Sequence, residues 1–327
     1  MNGEHQSTPA ARVPDFFIAG HAKSGTTALY LILRRHPQIF MPSLKEPQFF
    51  APEMRAEERF ARELPATRED YLALFAAAGP EQRAGEASPS YLRSPTAAAE
   101  IAAFAPAARV VAVFREPASF LRSLHLQFVQ TMIETETDLR RALTLEDLRR
   151  EGRELPRGAR SAQALMYSEH VRYASQLQRF HEAFPREQVL ALIYDDFRAD
   201  NEGTARQIMR FLGVDDTVAI QPVEANPTVR VRTGRLHGLK RTVHNAQGPA
   251  ARAVKSSVNA AIPSGLRRTV VRPLRRQLRR KVVFAPPAPA DDVLMAELRE
   301  RFRGEVAALG SDLDRDLERL WGYDGDG

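Results

Sequence analysis

The run Gly20-His-Ala-Lys23-Ser24-Gly25-Thr26-Thr27 constrains this chain more than any other feature. It follows a short apolar stretch, Asp15-Phe-Phe-Ile-Ala19, and opens a segment from Thr26 to Arg35 in which Leu29, Ile32 and Leu33 recur at helical spacing. The expected order is strand, loop, helix. Glycines let a backbone bend close around an anion, and a helix N-terminus presents N–H groups and the positive end of its dipole. Lys23 adds a mobile charge, while Ser24, Gly25, Thr26 and Thr27 complete a nest for phosphate. A lone glycine pair would read as an ordinary turn. The Lys-Ser-Gly-Thr-Thr run in this setting argues against that.

The loop is not the common nucleotide-hydrolase pattern G-x-x-x-x-G-K-[ST], which sets lysine after the second glycine. Here Thr26 holds that place, and the lysine comes earlier, at Lys23. Two further apolar runs, Arg109-Val-Val-Ala-Val-Phe114 and Gln188-Val-Leu-Ala-Leu-Ile-Tyr194, read as buried strands. Pro117 opens a helix running to about Val129. Tyr167 to Phe184 reads as one long helix, and Glu202 to Leu212 as another with Gly213 as its C-cap. Asp291 to Leu309 and Asp312 to Leu320 read as closing helices. Continuous apolar strands alternating with amphipathic helices predict a three-layer α/β domain, a central parallel sheet flanked by helices.

The chain has 327 residues and no cysteine, which excludes disulfides, thiolate metal sites and a cysteine nucleophile. Residues 1–13 are polar, carry no secretory h-region and read as a disordered arm. Residues 14–327 read as a single domain with a basic helical insertion at about 236–285. No apolar run approaches the ~20 residues of a membrane span. The expected location is cytoplasmic.

Downstream motifs extend the pattern. Lys45-Glu46-Pro47-Gln48-Phe49-Phe50, Glu86-Ala-Ser-Pro-Ser-Tyr91, Arg115-Glu-Pro117 with Ser123 eight residues after the arginine, and Tyr194-Asp195-Asp196-Phe197 follow the loop in order. Taken together, the loop and these elements resemble the sulfotransferases that use 3′-phosphoadenosine 5′-phosphosulfate (PAPS), and within them the heparan-sulfate-type and related bacterial branch. The resemblance spans roughly Pro14 to Asn226. It implies transfer of a sulfuryl group from PAPS to a hydroxyl or amine of an acceptor, with release of PAP (3′-phosphoadenosine 5′-phosphate), on a P-loop sulfotransferase-like fold.

The resemblance implies roles for individual residues. Glu46 would be the general base. A glutamate beside a proline is more often a plain surface residue, but Phe49-Phe50 can bury the segment and fix Glu46 at a cleft. Lys23 would stabilise charge on the leaving phosphate, with Ser24, Gly25, Thr26 and Thr27 around it. Arg115, ending a strand, suits a bidentate phosphate contact, and Ser123 offers a hydroxyl about two helical turns on. Both would hold the 3′-phosphate, the group that separates PAPS from ATP. Arg230 and Arg232 match, more loosely, a basic segment that folds over the donor. Lys45 reads equally as an anion contact or a solvated flanking charge, and His125, near enough to the donor helix to touch the acceptor, reads rather as a structural histidine, packed or exposed. The branch's lysine after the glutamate of the Glu-x-(Ser/Thr)-Pro element is replaced by Ala87. The histidines form no metal-ligand spacing, and the chemistry implied needs no metal.

The net charge of +6 is unevenly spread. Residues 240–281 hold 12 Lys and Arg and no acidic residue, leaving 35 basic residues against 41 acidic ones elsewhere. Within 266–281 the arginines interleave with Leu266, Val270, Val271, Leu274 and Leu278. That pattern suits a solvated helix packed through its leucines, a cleft for an anionic acceptor, or peripheral contact with an anionic inner-membrane surface. The last is the leading functional expectation, and no nucleic-acid motif accompanies it. Two other functions stay open. A nucleotide-dependent kinase or phosphotransferase requires the lysine after the second glycine and a magnesium carboxylate. A non-catalytic anion- or membrane-binding protein would bind through the basic segment and ignore PAP.

Overall fold

The computed structural model describes residues 12–55, 64–159, 161–221, 230–231, 284–285 and 289–324. The basic run at 240–281, Arg232 and residues 1–11 of the expected arm lie outside these.

The chain begins with β1 (Phe16–Ile18), α1 (Thr26–Leu33), β2 (Ile39–Phe40), α2 (Pro52–Arg55) and α3 (Arg68–Ala73). It continues through β3 (Arg83–Ala87), α4 (Ala97–Phe104), β4 (Arg109–Phe114), α5 (Pro117–Thr131), α6 (Leu139–Thr144) and α7 (Glu146–Arg150). Then come α8 (Tyr167–His170), α9 (Tyr173–Ala183), β5 (Val189–Ile193), α10 (Tyr194–Ala199) and α11 (Asn201–Leu212). The short strands β6 (Arg230–Val231) and β7 (Phe284–Ala285) pair antiparallel, and α12 (Asp292–Leu313) and α13 (Leu317–Trp321) close the chain.

The five-stranded sheet runs in the order β2-β3-β1-β4-β5, parallel throughout. Successive side chains of a strand point to opposite faces, and the two cores follow that alternation. Phe17, Val110, Ala112 and Phe114 enter one core with α4, α5, α9 and α12. Phe16, Ile18, Val111 and Val113 enter the other with α1 and α11. Strands covered on both faces bear apolar residues at every position, which is why β1, β4 and β5 are continuous runs. The result is the expected three-layer α/β arrangement.

Two helix expectations are corrected. The stretch 167–184 is two helices, because Val171 and Arg172 leave helical geometry between α8 and α9. At the C-terminus α12 runs on to Leu313, and the break falls at Asp314, which adopts φ 50°. Asp316 then caps α13 by accepting from Arg319 N. Gly213 does end α11 in the left-handed region, at φ 71°.

A parallel sheet places every β-to-α turn at its carboxyl edge, and ligands of such sheets bind in the crevice where strand order reverses. Here that edge carries the turns after β1, β3, β4 and β5, which hold the loop and the motifs read from the sequence.

Candidate active site

The loop between β1 and α1 is set by close packing. A Cβ on Gly20 would lie 2.4 Å from Val113 N, so only glycine lets the chain pass against β4. Gly25 takes φ 83° as the N-cap of α1, and a Cβ there would stand 2.9 Å from the Phe197 ring. Both constraints are steric and favour glycine. The N-cap of α1 is Gly25, which makes no side-chain cap hydrogen bond to the first-turn N–H groups. Ser24 is fully buried, yet its Oγ has no hydrogen-bond partner among the described residues. Buried hydroxyls are normally satisfied, so this one calls for an acceptor from outside the chain.

Lys23 stands half-buried in the loop at φ 63°. Burial, and then the neighbouring Arg115, draw its pKa below the ordinary lysine value. Arg115 leaves the end of β4 and donates from Nη1 to Lys23 O at 2.8 Å and from Nε to Ser119 Oγ at 3.3 Å. Its guanidinium lies 4.8 Å from the Tyr194 ring centroid. Burial lowers its pKa, opposed by Tyr194 and Asp195 among others. The structure therefore joins Arg115 and Lys23 directly and ties both to the turn after β5.

Next to Arg115, Glu116 caps α5 by accepting from Ala118 N at 2.9 Å and Ser119 N at 2.6 Å. Tyr323 OH donates to the same carboxylate at 2.7 Å. Ser123 sits on α5, buried. Strand β6, which contains Arg230, lies alongside α5. Arg232 is outside the described residues.

Glu46 stands at the end of β3, where its N–H donates to Ala87 O at 3.0 Å. Its side chain is 40% exposed and paired with Lys45. Glu46 and Gln48 take φ of 63° and 51° on either side of Pro47. Non-glycine residues occupy that region at a cost of about 1–3 kcal/mol each and persist where surroundings hold them. Phe49 and Phe50 provide part of that hold. Phe49 stacks on Tyr71 at 4.5 Å, and Phe50 meets Phe17, Tyr71 and Phe104 edge-on.

Several residues here escaped the sequence reading. Tyr173 donates to Arg115 O at 2.9 Å. Trp321 Nε1 donates to Asp195 Oδ2 at 2.9 Å, so the C-terminal segment braces the turn after β5. No local pattern marks such partners, which are 58 and 126 residues apart in sequence. His21 is buried against Phe114, Phe120 and Tyr173, and burial lowers its pKa to about 3, so it is neutral. His125 is packed, its Nε2 bonded to Glu136 O at 2.9 Å. Among the described residues there is no cluster of three or more metal-type ligands.

Comparison with known proteins places this geometry. The family model described as Sulfotransferase family matches residues 14–217. A sulfotransferase from Alicyclobacillus acidocaldarius superposes at TM-score 0.65 with 22% identity, covering 95% of this chain and 99% of that one. The sulfotransferase domain from the curacin biosynthetic pathway gives TM-score 0.42 at 18% identity, covering 66% and 80%. Mouse sulfotransferase SULT7A1, solved with PAP, gives 0.37 at 17% identity, covering 71% and 65%. The curated proteins yield no match.

Proposed function

The chain belongs to the sulfotransferase family, and on that premise we propose that it transfers a sulfuryl group from PAPS to a hydroxyl or amine of an acceptor, releasing PAP. The observation that carries the donor assignment is the loop itself. A helix end with a glycine N-cap, a buried Ser24 hydroxyl without a partner among the described residues and two adjoining cations, Lys23 and Arg115, converge at one place. That set suits a phosphate-bearing donor.

In this reading the loop residues Lys23, Ser24, Gly25, Thr26 and Thr27 hold the 5′ end of the donor. Arg115 and Ser123 hold its 3′-phosphate, and Arg230 and Arg232 cover it. Glu46, exposed at the neighbouring strand end, takes the proton from the acceptor O–H or N–H as that atom bonds to sulfur. The bond from sulfur to the 5′-phosphate oxygen breaks, and its electron pair stays on the phosphate. Lys23 offsets the charge that develops there. Catalysis of this kind rests on positioning and charge stabilisation.

The acceptor class extends to carbohydrates, lipid-linked molecules and small natural products. The family match does not single out the heparan-sulfate-type branch. No helix among the described residues is long and apolar enough to cross a membrane. Contact of the 266–281 segment with an anionic membrane surface, with the protein otherwise in the cytoplasm, remains part of the proposal and falls on residues outside those described.

The test is PAPS turnover in Lys23→Ala and Glu46→Ala. Each should lose most transfer, by about a hundredfold for a charge or proton-transfer group. Full activity in Glu46→Ala removes Glu46 as base, and full activity in Lys23→Ala removes the loop as the donor site.

A further inference from the structure

The fully buried carboxylate of Glu86 has no part in the transfer chemistry, yet it sits under the segment that presents Glu46. It accepts from Tyr91 OH at 2.6 Å and Tyr71 OH at 3.2 Å on Oε1, and from Ser88 Oγ at 2.7 Å on Oε2. Two of these hydroxyls accept in turn from the base segment. Gln48 N donates to Ser88 Oγ at 3.1 Å and Phe49 N to Tyr91 OH at 2.9 Å. Ser88, Tyr91 and Tyr71 are each fully buried.

The direction of this network follows from donor counting. A hydroxyl has one proton and two lone pairs, and Ser88 and Tyr91 each direct that proton to a Glu86 oxygen. With their protons committed to Glu86, the Ser88 and Tyr91 oxygens turn lone pairs toward the Gln48 and Phe49 amides. These amides flank Gln48 Cα and follow Glu46, the two residues held at positive φ. The strained corner is thus fastened by amide-to-hydroxyl-to-carboxylate relays, while its other end is fixed by Glu46 N on Ala87 O.

We propose that Glu86 is a positioning residue, acting through Ser88 and Tyr91 to hold the Glu46 segment in the backbone geometry that aims Glu46 at the acceptor. This rests on the reading of Glu46 as the base. It assigns the Glu-x-Ser-Pro-x-Tyr element of this chain to orientation of a neighbouring loop, with its three polar side chains forming one device.

The test uses the full-length protein, Tyr91→Phe and Ser88→Ala, each alone and combined with Glu46→Ala. Turnover of PAPS is read under single-turnover conditions with water as acceptor, and PAP affinity by calorimetry. Each single variant deletes one hydroxyl, so the two back each other if one fails to fold. Misplacing a catalytic group by about 1 Å costs up to about a hundredfold, so the rate should fall about tenfold to a hundredfold with PAP affinity unchanged. In the Glu46→Ala background neither change should lower the rate further. The proposal is overturned by wild-type turnover in Tyr91→Phe and Ser88→Ala, by a parallel loss of PAP affinity, or by an undiminished further loss in the Glu46→Ala background. Full turnover in Glu46→Ala alone overturns the base assignment instead. An inactive Glu46→Ala beside fully active Tyr91→Phe and Ser88→Ala leaves the base standing and removes only its positioning.

Discussion

Buried polar groups at single residues separate what the fold needs from what the site needs. Ser24 Oγ is buried without a partner among the described residues, a state that costs about 1–3 kcal/mol relative to a satisfied group. Ser24→Ala should therefore leave the free protein as stable or more stable in urea denaturation, while weakening PAP binding about tenfold to a hundredfold, the value of one hydrogen bond to a charged group. A destabilised variant with unchanged PAP affinity would assign Ser24 to the fold instead. Glu86 makes the complementary case. Burial pushes its pKa up to about 7 from 4.5, against the lowering effect of its hydroxyl donors. In this window the folded protein binds the extra proton, so this residue's contribution is fully present below about pH 4.5 and is lost as pH rises through about 7. Across that range wild type should lose up to about 3 kcal/mol relative to Glu86→Gln, at 1.36 kcal/mol per unit. Denaturation of both proteins at pH 5 and pH 8 checks it, and a difference independent of pH would contradict it.

Among elements, the strands that could be read were those buried on both faces, β1, β4 and β5, because every position after the opening Arg109 of β4 is apolar. The two-residue β2 has no pattern to read, and β3, Arg83-Ala-Gly-Glu-Ala87, hides a buried glutamate among small residues. Its central glycine yields to the Phe16 ring, which a Cβ would meet at 2.3 Å, a constraint that only the neighbouring strand reveals. The break between α8 and α9 was equally hidden, since the apolar spacing of 167–184 continues across it. The candidate site was named from contiguous motifs, since loop, base segment and Arg115 each lie in one. Their supports come from distant elements. Arg149 of α7 and Glu134, just past α5, show the same dependence on separate elements within the helical layer. They form a fully buried bidentate pair at 2.7 and 3.0 Å, and Glu134 also accepts from Tyr167 OH and from the Thr135 and Glu136 amides. Removing one partner strands a buried charge, so Arg149→Met should cost about 3–5 kcal/mol in urea denaturation. Adding Glu134→Gln should recover part of that loss, and a cost under about 1 kcal/mol for the single change would show that water reaches the pair.

For the whole molecule, parallel strands gather the motif turns on one edge, and the closing helices fasten that edge from outside. Arg315 pairs with Asp196, Trp321 bonds Asp195 and Tyr323 bonds Glu116. Trp321 is the chain's single tryptophan, so its emission reports on this corner alone. PAP binding should change that emission, while Trp321→Phe should abolish the signal. An unchanged spectrum at saturating PAP would separate the C-terminal brace from the donor site. The central claim is that the Lys23 loop and Arg115 form a site for a nucleotide with both 5′- and 3′-phosphates. Calorimetric titration with PAP, beside ADP and ATP with magnesium, tests it most directly. PAP should bind tightly, with binding lost when the 3′-phosphate is absent and weakened in Arg115→Ala. Preference for ATP with magnesium, or no nucleotide binding by the folded protein, would contradict it.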